Sequence, residues 1–325
     1  MPSKQSHMYS RRTFLAGMAA LGAAGLWCPL KAAASAAHYQ QTALFMGTIV
    51  RMDIASCPQS LAEEACAAAF AEGMRLEGLL TRHRADSPLG VLNSQGSLRD
   101  VPAELSALLD MSREIHTLSS GAFDPTVLPV LEALEKNAAA DELARVRAKI
   151  GFEKIVRDGA LRVESGMSVT LDGIAKGYIA QRMSDTLSAA GCANHIVNAG
   201  GDIVARGKSP SGAPWHAAIE DPAKQGRYPT ALDIADRALA TSGIYEKPFA
   251  SDNGSHLIDP SSPSRLQCAS ASVLAPTGAQ ADALATAFSV MPPARSLAAA
   301  GRLQGVEALL VMRDGRILRS AGWPA

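Results

Sequence analysis

The run VTLDGIAKGYIAQRMSDTLSAAGCANHIVNAGGDIVAR, Val169 to Arg206, holds the reading that decides the fold. Val169-Thr170-Leu171-Asp172 has the apolar, β-branched character of a strand, and Gly173-Ile174-Ala175-Lys176-Gly177 follows as a glycine-bracketed turn. From Ile174 to Ala190 the pattern is helical, with Gly191 where a helix ends in a left-handed residue. Two strand-like runs come next, His195–Asn198 and Ile203–Ala205, joined by the tight connection Asn198-Ala199-Gly200-Gly201-Asp202. One helix is therefore followed by two consecutive strands.

The flanking sequence repeats this grouping. Leu44–Ala55 reads as one strand, and Ser60 with Glu63 forms a capping box that opens an Ala-rich helix toward Leu80. Pro102 opens another helix, ended by Gly121, and Asp141–Ile150 is helical again. Asp158-Gly159 between Lys154–Val156 and Leu161–Val163 signals a hairpin. Further on, Trp215–Ile219, Ala231–Ile234 and Cys268–Leu274 read as strands. A helix over Gln280–Val290 is closed by Pro292-Pro293, and Val306–Met312 with Arg316–Ser320 makes a final hairpin around Asp314-Gly315. Strands in runs favour an α+β fold, mixed sheets with packed helices, over a doubly wound sheet. With no internal repeat, residues 38–325 read as a single compact catalytic unit.

The chain has 325 residues, 47% of them hydrophobic and 19% charged, which suits a globular protein. Residues 1–37 carry Lys4, Arg11, Arg12 and Lys31 and no acid, leaving 27 basic against 31 acidic groups in the rest. A mildly acidic body has no electrostatic footprint for nucleic acid.

Ser10-Arg11-Arg12-Thr13-Phe14-Leu15, the apolar stretch to Cys28 and the small residues Ala32–Ala37 are the three parts of a secretory signal. The paired arginine points to the Tat translocon and a periplasmic protein, with retention at the inner membrane by an uncleaved leader as the rival outcome. Beyond Cys28 stand Cys57, Cys66, Cys192 and Cys268, with no Cys-x-x-Cys, so they read as small buried hydrophobes.

Chemistry concentrates where glycine meets a polar side chain. Gly173–Gly177 brings backbone N–H groups and Lys176 to one point, which suits a phosphate or pyrophosphate, although a solvated lysine has the same signature. Asp282 and Thr286 lie four apart on one helix face and can share a hard cation; an acid at a helix start and a back-bonding threonine give the same spacing. His256, in Gly254-Ser255-His256-Leu257-Ile258-Asp259-Pro260, fits a general base or a turn-bonding histidine.

Taken in order, Met46-Gly47-Thr48, Ser87–Asn93 (SPLGVLN), Gly121–Thr126 (GAFDPT), Gly173–Gly177, Gly200-Gly201-Asp202, Thr241-Ser242-Gly243, Ser255–Pro260 and Asp282–Thr286 resemble the ApbE family, the FAD:protein FMN transferases. The resemblance implies a T-fold-like α+β architecture, FAD as substrate and Mg²⁺ at its pyrophosphate. It implies that FMN moves from FAD to a Thr or Ser hydroxyl of a target flavoprotein, releasing AMP. Asp282 and Thr286 resemble the side-chain metal ligands, and Gly173 and Ala285 resemble positions lining the metal. Lys176 resembles the FAD-contacting lysine. Met46, Ala122, Phe123, Asp124 and Ile258 fall where the family contacts the cofactor, and His256 resembles the base.

Two positions depart from the family pattern. Thr170 stands where an Asp is frequent, and Asp172 replaces the first of two glycines. Asp172 either supplies the missing carboxylate or changes the adenosine or metal contacts. His83 stands where many relatives have a Tyr that stacks on the cofactor. The same residues also suit a Mg²⁺-dependent FAD pyrophosphatase, and a non-catalytic FAD-binding carrier is the alternative from another class.

Overall fold

β1 (His38–Phe45) and β2 (Thr48–Ala55) form a hairpin, which corrects the reading of Leu44–Ala55 as one strand. Met46 (φ 54°) and Gly47 (φ 67°) are both left-handed, the turn geometry that matches strand twist. Met46 holds this conformation with its amide donating to Glu77 Oε1 at 2.9 Å. α1 (Gln59–Leu80) follows, and the capping box does not form. Pro58, with φ −55°, starts the helix early enough that Ser60 lies inside it, and Glu63 instead accepts from Gln59 Nε2 at 2.8 Å.

These elements come from a computed structural model that describes residues 38–223, 228, 230–245, 255–262 and 266–324. The leader reading of residues 1–37, and Gly254 beside His256, lie outside the described residues. The chain continues through α2 (Pro88–Gln95), β3 (Ser97–Leu98), α3 (Ala103–Leu118), α4 (Leu128–Glu135) and α5 (Ala140–Arg147). Next come β4 (Val156–Arg157), β5 (Leu161–Arg162), α6 (Ala175–Ala189), β6 (Asn194–Ala199) and β7 (Asp202–Arg206). β8 (Trp215–Ile219), β9 (Thr230–Ile234), β10 (Arg237–Gly243) and β11 (Cys268–Ala275) lead to α7 (Gly278–Val290) and α8 (Pro293–Ala300). β12 (Glu307–Met312) and β13 (Ile317–Arg319) close the fold.

An eight-stranded sheet runs in the order β1-β2-β6-β7-β10-β11-β12-β13, with every neighbouring pair antiparallel. Strands β7, β10, β11 and β12 are largely buried on both faces because both are covered there. Val50, Met52, Val204, Ala240, Val273 and Leu310 join the core shared with α1, α6 and α7. Their alternating neighbours Ile203, Leu239, Leu274 and Leu309 pack instead with Trp215, Ile219 and Leu232 of the β8–β9 ribbon. The fold is thus mixed α+β.

Val169–Asp172 is not a strand. Its backbone is held by a side chain: Asn93 Nδ2 donates to the Val169 carbonyl at 2.8 Å, and the Val169 amide donates to Asn93 Oδ1 at 2.7 Å. Cys57, Cys66, Cys192 and Cys268 are all buried and free. Among the described residues no helix is long and apolar enough to cross a membrane.

Candidate functional site

α6 and α7 approach until their backbones touch. A Cβ on Gly177 would fall 2.2 Å from the Gly278 carbonyl oxygen, so both helices need glycine there. This closeness lets the Gly177 amide donate to Asp282 Oδ2 at 2.9 Å. One turn further along α7, Thr286 Oγ1 lies 3.5 Å from the Gly173 carbonyl and 3.2 Å from Ser242 Oγ on β10. The turn into α6, the middle of α7 and the end of β10 therefore bring carboxylate, hydroxyl and carbonyl oxygens together.

Two adjoining pockets open around this junction. The smaller, about 140 Å³, is lined by Ala122, Phe123, Asp124, Thr170, Gly173, His256, Ile258, Asp282 and Thr286, with Arg82 and Ser242. The larger, about 680 Å³, is lined by Met46, His83, Glu77 and the turn glycines Gly47 and Gly200. Asp172 and Lys176 border both. Of the residues given a catalytic, cofactor or metal role from the sequence, only Ala285 lines neither: it is fully buried on α7, and its carbonyl accepts the Ser289 hydroxyl at 2.9 Å.

Lys176 donates to Asp202, whose carboxylate is buried. Burial pushes the Asp202 carboxyl above the ordinary range, against the pull of the Lys176 ammonium. Asp124 caps the short turn at Pro125–Val127, accepting from the Thr126 amide (2.8 Å) and hydroxyl (2.6 Å) and from the Phe152 amide (3.2 Å). Its carboxylate shapes the pocket wall. Thr170 also orders backbone: its amide donates to the Pro125 carbonyl at 2.8 Å and its hydroxyl accepts from the Asp172 amide at 3.1 Å.

Asp172 accepts from Arg82 Nε at 2.9 Å, with the Arg82 side chain 9% exposed and the Asp172 side chain 47% exposed. This carboxylate is engaged by arginine. Arg82 carried no signal in the sequence, since an arginine in a polar stretch reads as solvated surface. Ser242, in contrast, stood within the Thr241-Ser242-Gly243 run.

The donor set at Asp282 suits a hard cation. One carboxylate, one hydroxyl and one backbone carbonyl are all oxygen, the ligand type of magnesium, which leaves its other positions to water and phosphate. Among the described residues no group of three or more His, Cys, Asp or Glu is placed to hold a metal.

The sequence profile described as the ApbE family matches residues 46–310. The chain belongs to the ApbE family. An FAD:protein FMN transferase of Treponema pallidum (strain Nichols) is 29% identical over 316 residues, covering 88% of this chain and 87% of the relative. One from Haemophilus influenzae (strain ATCC 51907 / DSM 11121 / KW20 / Rd) is 30% identical over 261 residues, covering 72% and 75%. The flavin transferase ApbE from Vibrio cholerae superposes with a TM-score of 0.76 at 26% identity, over 88% of this chain and 98% of that one. The ApbE protein of Thermotoga maritima does so at 0.78 and 26%, over 88% and 97%. These ApbE structures share the mixed α+β architecture described above.

Proposed function

We propose that this chain moves FMN from FAD to a Thr or Ser hydroxyl of a target flavoprotein, with Mg²⁺ bound and AMP released. Its family and its curated transferase relatives support the reaction class. The observation that carries the reading is the convergence of Asp282, Thr286 and the Gly173 carbonyl at the start of α6, in a pocket that Lys176 and His256 also line.

In this reading Asp282, Thr286 and the Gly173 carbonyl would hold magnesium, which would supply positive charge to the pyrophosphate oxygens. Lys176 brings a second positive charge to the same anion, and the positive end of the α6 dipole lies beside it. Met46, His83 and the turn around them line the roomier pocket, which suits the flavin. An alcohol is a weak nucleophile at neutral pH, so His256 takes the hydroxyl proton at an imidazole nitrogen as the oxygen attacks phosphorus.

The test is mass spectrometry of a candidate acceptor domain after incubation with the protein, FAD and Mg²⁺. The acceptor should gain one FMN, and His256→Ala should slow transfer roughly a hundred- to ten-thousand-fold while FAD still binds. Full activity in that variant would remove His256 as the base. Free FMN and AMP with an unmodified acceptor would mark a pyrophosphatase instead, and intact FAD throughout would mark a carrier. We place the reaction in the periplasm on the twin-arginine leader, Arg11-Arg12; cell fractionation that found the protein in the cytoplasm would overturn this.

A further inference from the structure

The transfer reading uses no cysteine, yet two thiols meet at the far end of α6. Cys57 Sγ and Cys192 Sγ lie 2.8 Å apart, 135 residues apart in sequence, and both are buried. That separation is within about 0.8 Å of a disulfide bond length. The strand register explains the meeting. β2 and β6 are antiparallel, and their last pair is Ala55 with Asn194. Continuing that register by two residues sets Cys57 opposite Cys192.

The flanking backbone keeps both sulfurs in place. The Cys192 amide donates to the Leu187 carbonyl at 3.0 Å, and its carbonyl is bonded to His195 Nδ1 at 2.6 Å. On the other side Ser56 takes a left-handed turn (φ 57°) that swings Cys57 in before α1 begins.

We propose that Cys57 and Cys192 form a disulfide pair, closed by exchange with a low-molecular-weight or protein disulfide, that staples the turn before α1 to the turn after α6. The exchange is balanced. A Cys57 thiolate attacks the external disulfide and expels one thiolate; Cys192 then attacks the mixed disulfide and expels the second. The cysteines lose two electrons and two protons, the external disulfide takes the electrons, and its two sulfurs leave as thiols. Cys57 is the entry point because it is the more exposed of the two, at 5% against 1%. Burial pushes the Cys192 thiol well up and the Cys66 thiol up to about 11. Cys66, fully buried within α1, is a bystander. So is Cys268, whose thiol donates to the Ser270 carbonyl at 2.9 Å on a different strand.

The staple leaves the chemistry alone. α6 has 15 residues, so at 1.5 Å per residue about 20 Å of helix separates Cys192 from Lys176. Its effect is on the unfolded chain, which loses the freedom of a long loop.

The experiment equilibrates the full chain with oxidised glutathione, quenches it in acid, alkylates it in denaturant and maps peptides by mass spectrometry. Expected is a linked pair carrying Cys57 and Cys192, two hydrogens lighter than the reduced peptides, with Cys66 and Cys268 alkylated. The oxidised protein should melt about 5 °C or more above the reduced one, and Cys57→Ala should abolish both the link and the difference. Cys66→Ala should keep both. Alkylation of Cys57 and Cys192 in the oxidised sample, or a Cys57–Cys66 link, would overturn the pairing. A link with no change in melting would overturn the staple.

Discussion

The Gly177 amide donates to the Asp282 carboxylate at 2.9 Å, so the acid that faces the small pocket also ties α6 to α7. Asp282 is held by the neighbouring helix as well as by its own, and its place depends on how closely the two helices pack.

Gly177→Ala tests that closeness. Its new methyl would meet the Gly278 carbonyl oxygen at 2.2 Å and Asp282 Cβ at 2.7 Å, and backbone cannot yield as a side-chain tip can. Stability should fall by about 1–3 kcal/mol, read as a lower urea midpoint, and Mg²⁺-dependent FAD binding should weaken with it. An unchanged midpoint would mean that the helices part at no cost.

Asp282→Asn separates the two jobs of this residue. The amide side chain still offers an oxygen to the Gly177 N–H, so the melting temperature should stay near wild type. The negative charge is lost, and transfer should fall roughly a hundredfold or more at fixed Mg²⁺. A rate within about twofold of wild type would remove Asp282 from the metal.

Asp172 borders both pockets, and Arg82, which lines the smaller, is bonded to it. A double-mutant cycle with Arg82→Gln and Asp172→Asn, followed by urea unfolding, should give a coupling of about 0.5–1 kcal/mol, since the carboxylate is 47% exposed and solvent screens it. A coupling near zero would show that the pair orients nothing.

His195 makes stability depend on pH. It is fully buried, with Nε2 2.8 Å from Ser184 Oγ and Nδ1 2.6 Å from the Cys192 carbonyl, and burial pushes its pKa below 6.5. The unfolded chain then binds a proton near pH 6.5 that the folded chain refuses, so stability declines as pH drops below that value. Melting curves from pH 7.5 to 5 should show this decline, and His195→Gln should flatten it. Equal slopes in both proteins would assign the decline to other groups.

Much of the site was legible because its parts are local: glycines, an acid and a threonine on one helix turn, a lysine near a helix start. β6, β7 and β12 were also legible, since each is dense in Ile, Val or Leu. β10, Arg237–Gly243, was not, because its small and polar residues have low strand propensity; it is a strand because α7 and two neighbouring strands enclose it. Val169–Asp172 failed in the opposite sense. Its β-branched pattern is real, but its hydrogen-bonding partner is the Asn93 side chain rather than a strand. Arg82 shows a third limit, for its meeting with Asp172 spans 90 residues and no local pattern encodes it.

The two pockets are built from chain segments made far apart in time. The β1–β2 turn and the α1 end that line the larger one emerge first, whereas Asp282 and Thr286 follow 236 and 240 residues behind Met46. A ribosome that has released the chain through β11 has made the flavin-sized space and the lysine, yet not the helix that carries the acid. On the proposed function, loading with dinucleotide and metal is therefore a late event in the life of the molecule, and a chain cut short before α7 would be a cradle without the acid and hydroxyl that grip the metal.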